Sequence, residues 1–184
     1  MSANYKGMIM SETVMLGGGC FWCTESVFLP LRGVLQVTPG YAGGHVDNPS
    51  YEQVCGKQTG HIEVVRVEFD PNIIDLETLL QVFFATHDPT TVDRQGADVG
   101  PQYASAIFCQ NAAQKETAQK VIDAVAQQLE EPVATRLLDA ALFWPAEQYH
   151  HNFYARNPTQ GYCQAVISPK LAKFRKRYAS LLAA

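Results

Sequence analysis

No run in this sequence approaches the ~18 to 20 consecutive apolar residues that a membrane-spanning helix needs. The N-terminal MSANYKGMIMSE has no apolar stretch of the kind that marks a secretory leader. Charge is scarce: 14 Lys and Arg stand against 18 Asp and Glu, 17% of the residues, for a formal net charge of -4. A mildly acidic chain is a poor partner for nucleic-acid phosphates. One short basic run, Lys170 to Arg177, is the exception and reads as a solvated helix face. There is no internal repeat, low-complexity tract or long linker. With 47% hydrophobic residues over 184 positions, disorder is excluded and one domain spanning 1–184 is expected. A cytoplasmic monomer without membrane or nucleic-acid partners fits these counts.

Cysteine is present in an odd number, five, at positions 20, 23, 55, 109 and 163. Complete pairing is impossible and no export signal accompanies them, so a disulfide framework is not expected. Metal binding, redox chemistry and plain burial stay open. Zinc is disfavoured: Cys20-x-x-Cys23 has no second such pair, and His150-His151 are adjacent instead of spaced.

Hydrophobic periodicity predicts strands at Thr13–Leu16, Val34–Tyr41, His61–Phe69, Ala104–Cys109 and Thr135–Leu138. Helices are expected from Phe21 to Leu29, around Ser50–Val54, from Asp75 to Thr86, and from an Asn111 cap to Leu129. A segment at Glu147–Tyr154 and a basic helix from Pro169 close the chain. Up to residue 129 the order is β-α-β-β-α-β plus a helix. That order predicts an α+β fold, a ferredoxin-like split βαβ two-layer sandwich with long surrounding loops and a C-terminal helix.

Two places invite chemistry. In GGGCFWCTE a strand feeds three glycines and then Cys20, at the start of a helix. Unpaired N–H groups and the positive end of the helix dipole favour a thiolate there, so Cys20 is expected to be unusually acidic. Phe21 and Trp22 follow as an apolar wall. The competing reading is a structural cysteine among core aromatics. In His61–Phe69 the odd positions carry Val65, Val67 and Phe69, and Glu63 shares their face. A carboxyl held against apolar surface stays protonated near neutral pH and can act as an acid; an edge glutamate reaching solvent fits the pattern equally. Tyr51 and Tyr103 precede two of the strands, with hydroxyls able to bond a ligand oxygen. Asp98 sits in a Gly-flanked loop where aspartate usually forms turns. Cys55 and Cys109 read as packing.

Taken together these segments resemble the A-type peptide methionine sulfoxide reductases. The carriers are Gly19-Cys20-Phe21-Trp22-Cys23-Thr24-Glu25, Gly40-Tyr41-Ala42-Gly43-Gly44, Pro49-Ser50-Tyr51 with Val54-Cys55, and Thr59-Gly60-His61-Ile62-Glu63. His87-Asp88-Pro89-Thr90, Gly100-Pro101-Gln102-Tyr103-Ala104-Ser105, Trp144-Pro145-Ala146-Glu147-Gln148-Tyr149-His150 and Gly161-Tyr162-Cys163 extend the match along the chain. The resemblance implies reduction of the S epimer of methionine sulfoxide, free or within oxidised proteins. It implies no cofactor, with thioredoxin or another dithiol as external reductant. It casts Cys20 as nucleophile, Glu63 as proton donor, and Tyr51 and Tyr103 as holders of the sulfoxide oxygen. Phe21 and Trp22 become the methyl cradle, Asp98 a binding residue, and Cys163 the resolving thiol. Position 23 is often glycine in that family, so Cys23 is a second resolving candidate or relay. Helix geometry is expected to hold Cys23 away from Cys20, whereas Cys163, beside Gly161 in a loop, can approach. A thioredoxin-like dithiol oxidoreductase and a non-catalytic thiol sensor are the rival readings.

Overall fold

The first strand runs through the middle of the sheet, because both of its neighbours are apolar strands that can bury one face each. The computed structural model describes residues 10–184, so the leader reading, which falls mostly on residues 1–9, lies outside the described residues. Strand β1 (Glu12–Gly18) pairs antiparallel with β3 (Ile62–Phe69) on one side and β6 (Ser105–Phe108) on the other. Strand β2 (Val34–Ala42) lies antiparallel beyond β3. The elements β1, α1 (Phe21–Phe28), β2, β3, α3 (Leu76–Ala85) and β6 therefore give the spatial order β6-β1-β3-β2. That is the split βαβ arrangement the pattern predicts. Two further strands extend it: β7 (Arg136–Leu138), parallel to β6, and β8 (Phe143–Pro145), antiparallel to β2. A small hairpin, β4 (Arg94–Gln95) and β5 (Asp98–Val99), stands apart.

Local rules set the helix starts. Asp75 accepts from Thr78 N–H at 2.8 Å before α3, and Asn111 accepts from Gln114 N–H at 2.9 Å before α4 (Ala112–Ala126). Ser50 and Gln53 form a reciprocal capping box on α2 (Tyr51–Cys55). Helix α4 stops at Ala126, three residues short of expectation, ahead of Glu130, Glu131 and Pro132, which suit a helix C-terminus badly.

Val14, Leu16, Val65, Val67 and Phe69 face Val27, Phe28, Leu79, Leu80 and Phe83 in the main core. The opposite sheet face is covered as well. Ile62 and Val64 are buried too, in a second cluster with Met15, Ala106 and Phe108. The segment carrying Leu138, Ala141 and Phe143 folds over this end of the sheet, and the Arg66 guanidinium lies 4.5 Å from the Phe143 ring centre. No helix among the described residues is long and apolar enough to cross a membrane.

His87, just past α3, ties three elements together. Its Nδ1–H donates to the Phe83 carbonyl at 2.6 Å, so its Nε2 accepts from the Ser105 hydroxyl at 2.7 Å. Ser105 in turn meets Thr135 at 2.7 Å. Burial, the largest cause, pushes the imidazole down to about 4 from its ordinary 6.5. The folded ring is neutral, so the unfolded chain binds the extra proton as pH falls from 6.5 towards 4. Stability from this group is complete above pH 6.5 and is lost across that window, by up to about 3 kcal/mol. Urea melts at pH 7 and pH 4.5 are expected to differ by less in His87→Asn than in the parent chain.

Candidate active site

The site is built on the start of α1. Gly19 adopts φ +91°, and a Cβ there would lie 2.6 Å from Gln95 Cβ, so the turn out of β1 requires glycine. It delivers Cys20 as the N-cap of α1. The first two free N–H groups of the helix are then shared out. Phe21 N–H donates to Glu63 Oε2 at 3.1 Å, while Trp22 N–H supports the Cys20 sulfur. A thiol and a carboxyl, 43 residues apart in sequence, thus meet at one helix end.

Glu63 is on the buried face of β3 and only 1% exposed. Burial, opposed by the Phe21 hydrogen bond, pushes it up to about 8. The edge-glutamate reading falls, and Glu63 is a neutral acid at pH 7. Its only hydrogen bond among the described residues is the one from Phe21.

The cysteines do not behave as their positions suggest. Burial pushes the Cys20 thiol well above its ordinary range, with Cys23 and Glu63 adding to the effect. The acidic thiol is instead Cys23, drawn down to about 7, first by a hydrogen bond from Cys20 and then, against burial, by the Lys170 charge and the Tyr162 hydroxyl. The dipole at the helix start is outweighed by desolvation at Cys20, which is 9% exposed. Cys23, one turn on, is tied to Cys20 electrostatically, the Cys20 side chain being the largest influence that draws it down. Cys163 is no loop thiol. It opens a five-residue π-helical stretch, Cys163–Ile167, that continues into α6 (Ser168–Arg177), and it is fully buried. Its N–H is held by Gln160 Oε1 at 3.1 Å, and the charge its thiol senses is that of Cys23. All five cysteines are free thiols.

Tyr51 and Tyr103 lie on separate elements near Glu63. Tyr51, the first residue of α2, and Tyr103, in a 3-10 turn ahead of β6, are both half-buried. The hydroxyls of both are raised by burial, with the charges of Glu63 and of each other's neighbours contributing. Cys55 is not packing. It is partly exposed, and its thiol and the Tyr51 hydroxyl influence one another's ionisation. Cys109 is buried and pushed up to about 11, in keeping with a packing role. Asp98 serves the β4–β5 hairpin and also accepts from the Tyr162 hydroxyl at 2.6 Å, which places Tyr162 3.7 Å from Cys23 Sγ.

The aromatic wall divides. Phe21 is sealed in the core at 1% exposure, against Tyr41 and His150. Trp22 keeps an accessible surface, stacks on Phe153 at 3.7 Å between centroids, and donates its indole N–H to His150 Nδ1 at 2.9 Å. Phe153 opens the short α5 (Phe153–Arg156). Sequence reasoning missed these supports. Glu147 accepts from the Tyr41 hydroxyl at 3.0 Å and from Tyr51 N–H at 2.9 Å, fixing the start of α2. Glu147 and His150 both fall within the quoted Trp144–His150 motif, which was the available signal. Among the described residues no three of His, Cys, Asp and Glu gather as a metal site.

A buried neutral acid beside a cysteine at a helix start suits attack on a sulfur whose oxygen needs a proton. Residues 12–182 match the family model described as peptide methionine sulfoxide reductase. The chain belongs to that family. The reductase is 57% identical over 173 residues to a peptide methionine sulfoxide reductase MsrA from Chromobacterium violaceum, covering 93% of this chain and 98% of that relative. It is also similar in structure to methionine sulfoxide reductase A of Corynebacterium diphtheriae, with TM-score 0.79 and 32% identity, covering 84% of this chain and 78% of that one. A third likeness, to Mxr1 of Saccharomyces cerevisiae in complex with Trx2, has TM-score 0.55 and 22% identity over 78% of this reductase and 84% of Mxr1, and concerns the fold. The reductase is thus an oxidoreductase acting on methionine sulfoxide.

Proposed function

We propose that the chain reduces the S epimer of methionine sulfoxide, free and in oxidised proteins, as a cytoplasmic monomer with one catalytic domain and no cofactor. The observation that carries the reading is that Cys20 and protonated Glu63 share the first turn of α1. Cys20 attacks sulfur as a thiolate, its proton taken in the attack by the neighbouring Cys23 thiolate acting as base. Glu63 gives its proton to the sulfoxide oxygen, held by the Tyr51 and Tyr103 hydroxyls. The oxygen ends on Cys20 as a sulfenic acid, methionine leaves, and Glu63 regains a proton from solvent. Trp22 supplies the apolar surface for the methyl group, with Phe21 bracing it from within. Asp98 orients Tyr162 at the rim. A second thiol then displaces the oxygen as water, and an external dithiol such as thioredoxin reduces the disulfide by exchange.

An apolar methyl site together with a fixed oxygen site selects a single configuration at sulfur, because the mirror sulfur would swap the two substituents. The purified protein with dithiothreitol is expected to turn over the S sulfoxide and leave the R sulfoxide untouched. Absence of S turnover in a folded sample overturns the reading. A dithiol oxidoreductase would share the acidic Cys23 but has no use for Glu63; reduction of insulin disulfides without methionine formation would favour it.

A further inference from the structure

Helix α6 was expected to turn its basic residues to solvent, and Lys173, Arg175, Lys176 and Arg177 do so. Lys170 does not. It stands three residues after buried Ile167 and four before buried Phe174, so helical spacing turns it inward. Lys170 lines a cavity of about 10 Å³, together with Cys23, Thr24, Thr86 and His87. Among the described residues no carboxylate pairs with it. Of the cavity's groups only Cys23 can become an anion, because His87 is fixed neutral by bonds at both nitrogens.

We propose that Lys170 is a positioning residue that holds Cys23 as a thiolate from behind, so that Cys23, and not Cys163, closes the first disulfide with Cys20. This rests on the reductase reading of the site. The groups around Cys23 favour its anion on balance. The Cys20 thiol, the Tyr162 hydroxyl and Lys170 favour the anion, and the Asp98 carboxylate opposes it. Glu63 is neutral near pH 7, and Cys163 is a thiol raised by burial. Cys163, fully buried and raised in part by Cys23, is left the role of a later relay. In the closing step Cys23 sulfur attacks the sulfenic sulfur of Cys20. The S–S bond forms as the S–O bond breaks, and the hydroxide takes a proton from Glu63 to leave as water. Cys23 sulfur is oxidised and Cys20 sulfur reduced. Cys23 is also the better leaving thiol when an external dithiol attacks the more exposed Cys20.

The test is the pH dependence of Cys23 alkylation by iodoacetamide in the full chain carrying Cys20→Ser, a reading that needs no turnover. Lys170→Met is expected to raise the midpoint by about one unit. Lys170→Arg restores it, and Lys173→Met, which removes the same charge from the exposed face, leaves it unmoved. In the chain with Cys20 intact, Lys170→Met slows disulfide closure after one turnover about fivefold at pH 7, and the gap closes at alkaline pH where Cys23 ionises unaided. An unmoved midpoint in folded Lys170→Met, or in Lys170→Gln should the first variant not fold, overturns the proposal. So does an equal shift in Lys173→Met, or Cys20–Cys163 as the first disulfide mapped in the parent chain. Failure of the reductase reading would show differently, as no methionine from the parent chain.

Discussion

Cys20→Ser is expected to yield no methionine from the S sulfoxide, a loss on the order of 10⁴-fold or more. The reason is electronic before it is steric. A serine hydroxyl at the N-cap of α1 keeps the turn and the Trp22 N–H contact, so the fold should persist. Oxygen, however, is a far poorer nucleophile towards sulfur and cannot accept the sulfoxide oxygen as a sulfenic acid. Cys23 does not substitute. It lies one helical turn on, against the cavity shared with Lys170, and is 3% exposed. An unchanged melting temperature with no methionine, measured by amino-acid analysis, is the expected pair of results.

Glu63→Gln carries the second large effect. Glutamine keeps the shape and still accepts from Phe21 N–H, but has no proton to give. General acid catalysis is typically worth about 10² to 10⁴-fold, and a loss in that range is expected in the rate of methionine formation. The pH profile adds a sign. Glu63 acts in its protonated form, and burial holds it at about 8. Oxygen transfer should therefore fall as pH rises through about 8 in the parent chain. On the acid side it should rise through about 7, where the Cys20–Cys23 pair loses its first proton. In Glu63→Gln the alkaline fall should disappear while the acid limb stays. A parent-like rate in Glu63→Gln would remove Glu63 from the chemistry.

Much of this was legible in the chain. The alternation in β3 placed Glu63 on the buried face, and three glycines placed Cys20 at a helix start. Both follow from local periodicity and turn chemistry, which act over a few residues. What escaped depends on segments far apart in sequence. Cover from Leu138, Ala141 and Phe143 buried the second face of β3, where Ile62 and Val64 alone gave no sign of it. Glu147 and His150 reach the site from about 100 residues away to hold Tyr51 and Trp22. The acidity of Cys20 was misjudged because a helix start was weighed without burial. The charge moved to Cys23, where a donated hydrogen bond and Lys170 oppose desolvation. Cys163 was read as mobile beside Gly161, but the chain winds into a helix there and seals it.

The central claim is that Cys20 receives the oxygen. It is tested most directly in a chain carrying Cys23→Ser and Cys163→Ser, where no second thiol of the site can close a disulfide. One turnover with the S sulfoxide, followed by a sulfenic-acid trap and peptide mapping, should give one methionine per chain and one adduct, on Cys20. Methionine release with the adduct on Cys55 or Cys109, or with no adduct at all, would contradict it.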